Sequence, residues 1–188
     1  MKLYGGSVPI RPAPIRPAQK NDVPALLALV ARVVPLMRAG GNLQWDDAYP
    51  NRQVFEHDIE LGQLWVAEMD GAVAAVAAIA HDQEPEYAQA DWDISEPAIV
   101  VHRLAVDPEH RGAGLATALM LQAEVVARAN GIGVVRVDTN TENPATQRLL
   151  PKLGYTPAGE IELKFRPGLR FLCYEKRLGK MTDCGTTP

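Results

Sequence analysis

The stretch that most restricts this chain is residues 99–117, Ile-Val-Val-His-Arg-Leu-Ala-Val-Asp-Pro-Glu-His-Arg-Gly-Ala-Gly-Leu-Ala-Thr. Its β-branched apolar start reads as a buried strand. A short polar turn follows, and Arg-Gly-Ala-Gly-Leu-Ala then opens a long helical pattern. A strand feeding a glycine-rich turn into a helix N-terminus makes an anion site, because the first helical N–H groups lack intrahelical partners. Gly112 and Gly114 carry no Cβ, so a ligand can approach the main chain closely. The stretch predicts a pyrophosphate-binding loop; the alternative is an ordinary glycine-rich turn.

Two common phosphate loops do not fit. The dinucleotide fingerprint needs a third Gly or Ala where this chain has Thr117, and no Gly-Lys-Ser/Thr run of the Walker type is present. What fits is Arg-x-x-Gly-x-Ala, carried by Arg111, Gly114 and Ala116 just after Leu104-Ala105-Val106-Asp107-Pro108. This resembles the acetyl-CoA motif of the GNAT (N-acetyltransferase) family. A second stretch, residues 143–155, Asn-Pro-Ala-Thr-Gln-Arg-Leu-Leu-Pro-Lys-Leu-Gly-Tyr, is similar to that family's Asn-x-x-Ala and Leu-Tyr-x-Lys-x-Gly-Phe pattern.

The order of elements agrees with the same resemblance. Residues 15–18 read as an edge strand, since Pro17 cannot donate to a ladder. Asn21 or Asp22 caps an apolar-faced helix that Pro35 should kink or end and Gly40-Gly41 stops. A second short helix covers residues 51–61, with Val54, Phe55, Ile59 and Leu61 as its inward positions. Strands at 63–69 and 72–81 flank an Asp70-Gly71 hairpin turn. An acidic, aromatic insertion spans 82–97, before the strand at 99–106. The main helix begins at Arg111 or Gly112 and closes at Asn130-Gly131, and a strand at 134–139 completes a βαβ unit. A helix capped by Asn143 and two strands, 161–165 and 171–176, end the pattern. The resemblance covers residues 15–178 and implies a single-domain α/β acetyltransferase fold, with a mixed, mostly antiparallel sheet flanked by helices. Residues 1–14 read as a loose arm and 179–188 as a polar tail.

The 188 residues suit one domain, and a net charge of −4 without a basic block argues against a nucleic-acid partner. Cys173 and Cys184 have no metal or redox spacing; nor do His57, His81 and His110, so no metal is expected. No apolar run approaches the roughly 20 residues of a membrane span, and no signal-peptide pattern opens the chain, which suits a cytoplasmic protein with no membrane partner. A homodimer is an expectation by family habit alone.

The resemblance implies acetyl-CoA as co-substrate and acetyl transfer to the amine of a small molecule or peptide. Arg111, Gly112, Ala113, Gly114, Ala116 and Thr117 would hold the pyrophosphate. Leu104 to Val106 would pair with the amide-rich pantetheine arm, the Val106 N–H would donate to the thioester oxygen, and Asn143 would bond the arm. An alkylamine titrates near 10, so a base is needed. His102 is the first candidate: period two places it on the strand face of Leu104, while Arg103 points to the other face as a structural or paired residue. Glu84 is the second. The family's tyrosine, which protonates the departing thiolate, aligns here with Leu150, followed by Pro151. Trp45, Asp46, Tyr49 and Tyr87 are candidates for the acceptor wall, and the surrounding acids suit a cationic amine. A second class of function, a non-catalytic acyl-CoA-binding sensor or scaffold, fits the missing tyrosine.

Overall fold

Among the described residues, seven strands form one sheet in the order β1-β2-β3-β4-β5-β7-β6. They are β1 (Ile15–Pro17), β2 (Leu64–Met69), β3 (Ala72–Ala80), β4 (Ile99–Val106), β5 (Val134–Asn140), β6 (Thr156–Glu162) and β7 (Arg170–Arg177). Four helices join them: α1 (Val23–Ala39), α2 (Arg52–Glu60), α3 (Leu115–Ala129) and α4 (Pro144–Lys152). This computed structural model describes residues 14–179. The arm and tail expected at 1–14 and 179–188, including Cys184, lie outside it apart from Pro14 and Gly179. No helix among the described residues is long and apolar enough to cross a membrane.

Every neighbouring pair is antiparallel except β4–β5, which the α3 crossover makes parallel. The small side chains of β3 let helices come close on both sides of the sheet. Ala75, Ala77 and Ile79 join Val101, Val135 and Val137 under Leu115, Leu119, Met120 and Ala123 of α3. Val76 and Ala78 join Leu26, Leu29, Val33 and Phe55 of α1 and α2 on the opposite face. Each large aliphatic side chain buried this way contributes about 1.5–3 kcal/mol. On that second face, toward β6 and β7, Tyr87 and Trp92 pack on Val100, Ile161, Phe171 and Cys173. The insertion at 82–97 is therefore folded onto the sheet, with a 3-10 turn at Pro85–Gln89.

Four boundaries differ from those expected. α3 begins at Leu115, because Pro108–His110 forms its own 3-10 turn and Gly112 and Gly114 both take positive φ. α1 runs through Pro35, whose ring is exposed, while Val30, Val33 and Val34 hold the helix on the sheet. Leu61 is 51% exposed at the end of α2, where Asp58 takes the inward position instead. β6 covers Thr156–Glu162 rather than 161–165: Pro157 and Gly159 hide a strand interrupted by a register shift between Pro157 and Glu160.

Candidate active site

The site begins where β4 and β5 part. Their last paired residues are Val101 and Val137, yet β4 continues to Val106 and β5 to Asn140. The separation opens a cleft of about 740 Å³ lined by both strands, the turn before α3, the start of α4 and the end of α1. Asp107 N–H donates to Ala74 O on β3 at 2.8 Å. By strand alternation the main-chain groups of Leu104 and Val106 therefore face the cleft. Arg32 of α1 binds the Asp107 carboxylate, which also accepts Glu109 N–H at 3.1 Å, tying the strand end and the following turn to α1.

The turn is an anion cradle. Gly112 and Gly114 have φ of 84° and 81°, and a Cβ on either would meet no atom within 4 Å. Gly114 caps α3 from the left-handed region without a side-chain bond. The N–H groups of Gly112, Gly114, Leu115, Ala116 and Thr117 have no acceptor among the described residues, and all five residues line the cleft. Arg111 and Arg148 line the same mouth and form no ion pair among the described residues. Unpaired N–H groups, a helix dipole and two guanidinium groups fit a pyrophosphate. On the far wall Asn143 Oδ1 accepts Thr146 N–H at 3.3 Å as the α4 cap; its amide NH₂ has no acceptor among the described residues.

The other end of the cleft is made by a bulge. Ala105 faces Val76 and His102 faces Ala78, so Arg103 and Leu104 together stand opposite Ala77. Arg103 takes a φ of 53°. This corrects the period-two expectation. Leu104 packs on the α3 side with Val101 and Val106, whereas His102 stands opposite Ala78, on the α1 side, and Arg103 turns to that same side. Arg103 is paired, as expected: its Nε and Nη2 donate to Asp58 at 2.7 and 2.8 Å, and Nη1 to Tyr49 OH at 3.1 Å. Burial pushes the Asp58 carboxyl up, against the pull of Arg103.

Beneath the bulge lies a second pocket of about 30 Å³, lined by Gln44, Trp45, Tyr49, Glu84, His102, Arg103, Asp138, Leu163 and Phe165. Gln44, Trp45, Arg103 and Asp138 line both spaces, so the pocket and the cleft share a wall at the strand split. Tyr87 OH donates to Asp138 Oδ1 at 2.5 Å, and His102 Nδ1 lies 3.9 Å from the same oxygen, too far for a hydrogen bond. Burial raises the Asp138 carboxyl to about 6; the Tyr87 hydrogen bond opposes this and the Glu84 charge adds to it. Burial and then the Arg103 charge push His102 down to about 3, so its imidazole is neutral. Burial and the neighbouring Glu86 raise Glu84.

The sequence-derived candidates thus divide. Leu104, Val106, Arg111, Gly112, Gly114, Ala116, Thr117 and Asn143 line the large cleft; Ala113 sits in the turn but not in the lining. Glu84, His102 and Tyr49 line the small pocket, and Trp45 lines both. Asp46 lines neither: it binds Arg166 at 2.8 Å and accepts Ala48 and Tyr49 N–H, which folds its own loop. Tyr87 is fully buried behind Asp138 and does not reach the pocket. Leu150 is buried in the α3-side core. Sequence reasoning missed Asp138, Gln44 and Phe165. Asp138 had a signal, an acid within the apolar run Val-Val-Arg-Val-Asp-Thr. The other two reach the pocket only through tertiary folding.

A split central strand pair, with a glycine turn at one end and an acid-lined pocket at the other, is the frame of an acetyltransferase fold. The chain belongs to the acetyltransferase (GNAT) family, whose model matches residues 33–155. A GNAT family acetyltransferase from Streptococcus agalactiae is 31% identical, with a TM-score of 0.76 over 89% of this chain and 96% of that one. The fold is shared with yncA of Salmonella typhimurium, determined with its cofactor acetyl-CoA: 21% identity, TM-score 0.63, 93% and 99% covered. Among curated proteins, N-acetylaspartate synthetase of Xenopus tropicalis is 25% identical over 113 residues, 60% of this chain; the chain spans 38% of that relative's length.

Proposed function

We propose that this protein transfers the acetyl group of acetyl-CoA to a primary amine of a small molecule or peptide, by direct attack of the amine on the thioester. The observation that carries this is the extent of the cleft, which runs from the unpaired N–H groups of the turn to Asp138 at the β4–β5 split, where it shares a wall with the acid-lined pocket. Acetyl-CoA supplies the activated acyl group. Arg111, Gly112, Gly114, Ala116 and Thr117 hold its pyrophosphate, while Ala113, whose N–H is bonded to His110 O, only shapes the turn; Leu104 and Val106 offer main-chain groups to its amide-rich arm, with Asn143 opposite. The Val106 N–H is the donor for charge that builds on the thioester oxygen.

The acceptor enters from the small pocket, between Trp45, Tyr49 and Phe165. Glu84 and Asp138 favour an acceptor that arrives as a cation. His102 and Glu84 both line that pocket, and the neutral imidazole can orient a water. No hydroxyl replaces the family tyrosine at Leu150; a thiol of pKa near 8.5 leaves readily as a thiolate.

Release of CoA from acetyl-CoA in the presence of a panel of primary amines tests the proposal, with Arg111→Glu as the control that should abolish cofactor binding. Amine-dependent release supports transfer. Tight binding of acetyl-CoA with no release for any amine would favour the sensor or scaffold.

A further inference from the structure

We infer that Asp138 is the group that takes the proton from the acceptor amine, and that the buried Tyr87 is the positioning residue that holds it. The inference rests on the transfer reaction proposed above.

Among the described residues Asp138 is the one carboxylate that lines both spaces: Glu84 lines only the small pocket and Glu142 only the large cleft. It is the first residue of β5 beyond the last β4–β5 pair, so it sits in the wall that the pocket and the cleft share, at the point where the two strands part. One of its oxygens is engaged by Tyr87, and Oδ2 has no partner among the described residues. Tyr87 has no exposed surface, so the phenol fixes the carboxylate without competing for the acceptor.

The charged and titratable groups around Asp138 leave the role to it. From β4, Arg103 has its fork committed to Asp58 and Tyr49, and His102 is a weaker base than a carboxyl near 6. From the insertion, Glu84 shares the pocket but lies off the cleft. From β7, Cys173 faces Asp138 in register, and burial and the Asp138 charge keep its thiol protonated.

The acceptor arrives as R–NH₃⁺ and passes one proton to the Asp138 carboxylate, directly or through one water. The freed lone pair forms the C–N bond to the thioester carbonyl carbon, and the C–S bond breaks with its electrons on sulfur. The second proton lost from nitrogen ends on the thiolate as CoA–SH, the amide R–NH–CO–CH₃ departs, and Asp138 returns its proton to solvent.

The test compares the full wild-type chain with Asp138→Asn, which keeps an acceptor atom for Tyr87, and with Tyr87→Phe and His102→Asn. CoA release is followed with ethanolamine, putrescine and lysine across the pH range bracketing 6, with thermal unfolding in acetyl-CoA as a check on fold and cofactor binding. Asp138→Asn should lose about 10²–10⁴-fold in kcat/KM while keeping its acetyl-CoA response. Tyr87→Phe removes a bond that favours the carboxylate, so the acidic limb of the kcat/KM profile should move to higher pH by about one unit. His102→Asn should leave the limb in place. An Asp138→Asn enzyme that keeps its rate and its limb overturns the inference, as does an unmoved limb in Tyr87→Phe. Carboxyl ¹³C titration of the wild-type chain reads the same group without an acceptor: a midpoint near 6 supports the inference, and one in the ordinary aspartate range overturns it. Loss of the acetyl-CoA response in the wild type would instead remove the transfer reaction itself.

Discussion

At the turn end of the cleft the free polar groups are the main-chain N–H groups of Gly112 and of Gly114 to Thr117, from one short segment, with the Arg111 and Arg148 side chains beside them. At the pocket end they are side chains from the loop before α2, the insertion at 82–97, β4, β5 and the β6–β7 turn. The first region is fixed by local conformation: two glycines at positive φ and one helix start. The second is fixed by tertiary contacts, chiefly the Arg103–Asp58 pair, the Tyr87–Asp138 bond and the Arg166–Asp46 pair. A backbone-built site accepts the same phosphate in many sequences, whereas a side-chain-built site can be retuned for each acceptor without touching the cofactor end.

If the two ends are independent, damage to one should spare the other. The largest expected effect is at Asp58, whose side chain is only 5% exposed beside Arg103. Asp58→Ala strands a buried guanidinium and should cost about 3–5 kcal/mol in chemical unfolding, with the surviving folded protein still binding acetyl-CoA. Gly114→Val acts at the opposite end. A β-branched residue cannot hold a φ of 81° without strain, so the variant should lose the stabilisation that acetyl-CoA confers, about 2.7 kcal/mol at a hundredfold excess over Kd. Its pocket should stay intact.

Asp138 sharpens the comparison through pH. Its folded-state pKa is raised to about 6, so the native state binds more protons than the unfolded chain between about pH 4 and 6. Its contribution is fully present below the unfolded pKa and is lost as pH rises through the folded one. The stability of Asp138→Asn relative to wild type should therefore increase with pH over that window, by on the order of 2 kcal/mol, in urea unfolding at a series of pH values. Asn143→Ala should cost about 1 kcal/mol as a lost cap and raise the KM for acetyl-CoA, leaving the acceptor KM unchanged. The smallest effect is expected at Asp46, whose ion pair with Arg166 is partly exposed. Asp46→Asn should cost less than about 1 kcal/mol and leave the acceptor KM alone; a rise in that KM would return Asp46 to the acceptor wall.

The same division explains what could be read from the sequence. The strand at Ile99–Val106, the glycine turn and the Asn143 cap are local, and each was legible to the residue. The start of α3 was legible only to within a few residues, because two glycines can either begin a helix or precede it. The bulge at Arg103 was invisible: His-Arg-Leu alternates normally on paper, and only the register against β3 reveals the extra residue. Without the bulge, strict alternation puts His102 and Leu104 on one face and Arg103 on the other. Asp138 escaped because its significance lies in where the β4–β5 ladder stops, a property of two strands together. The sequence makes Tyr87 a candidate for the acceptor wall; its burial and its bond to a residue 51 positions away make it a support for Asp138 instead.

The most direct test of the central claim, that the β4–β5 cleft and its glycine turn hold acyl-CoA, is thermal unfolding of the wild-type chain with acetyl-CoA, using NAD and ATP as controls. The account predicts a rise in Tm of several degrees with acetyl-CoA near a hundred times its Kd, absent in Arg111→Glu, and none with NAD or ATP. An unchanged Tm at millimolar acetyl-CoA would make residues 111–117 a structural turn and contradict the account.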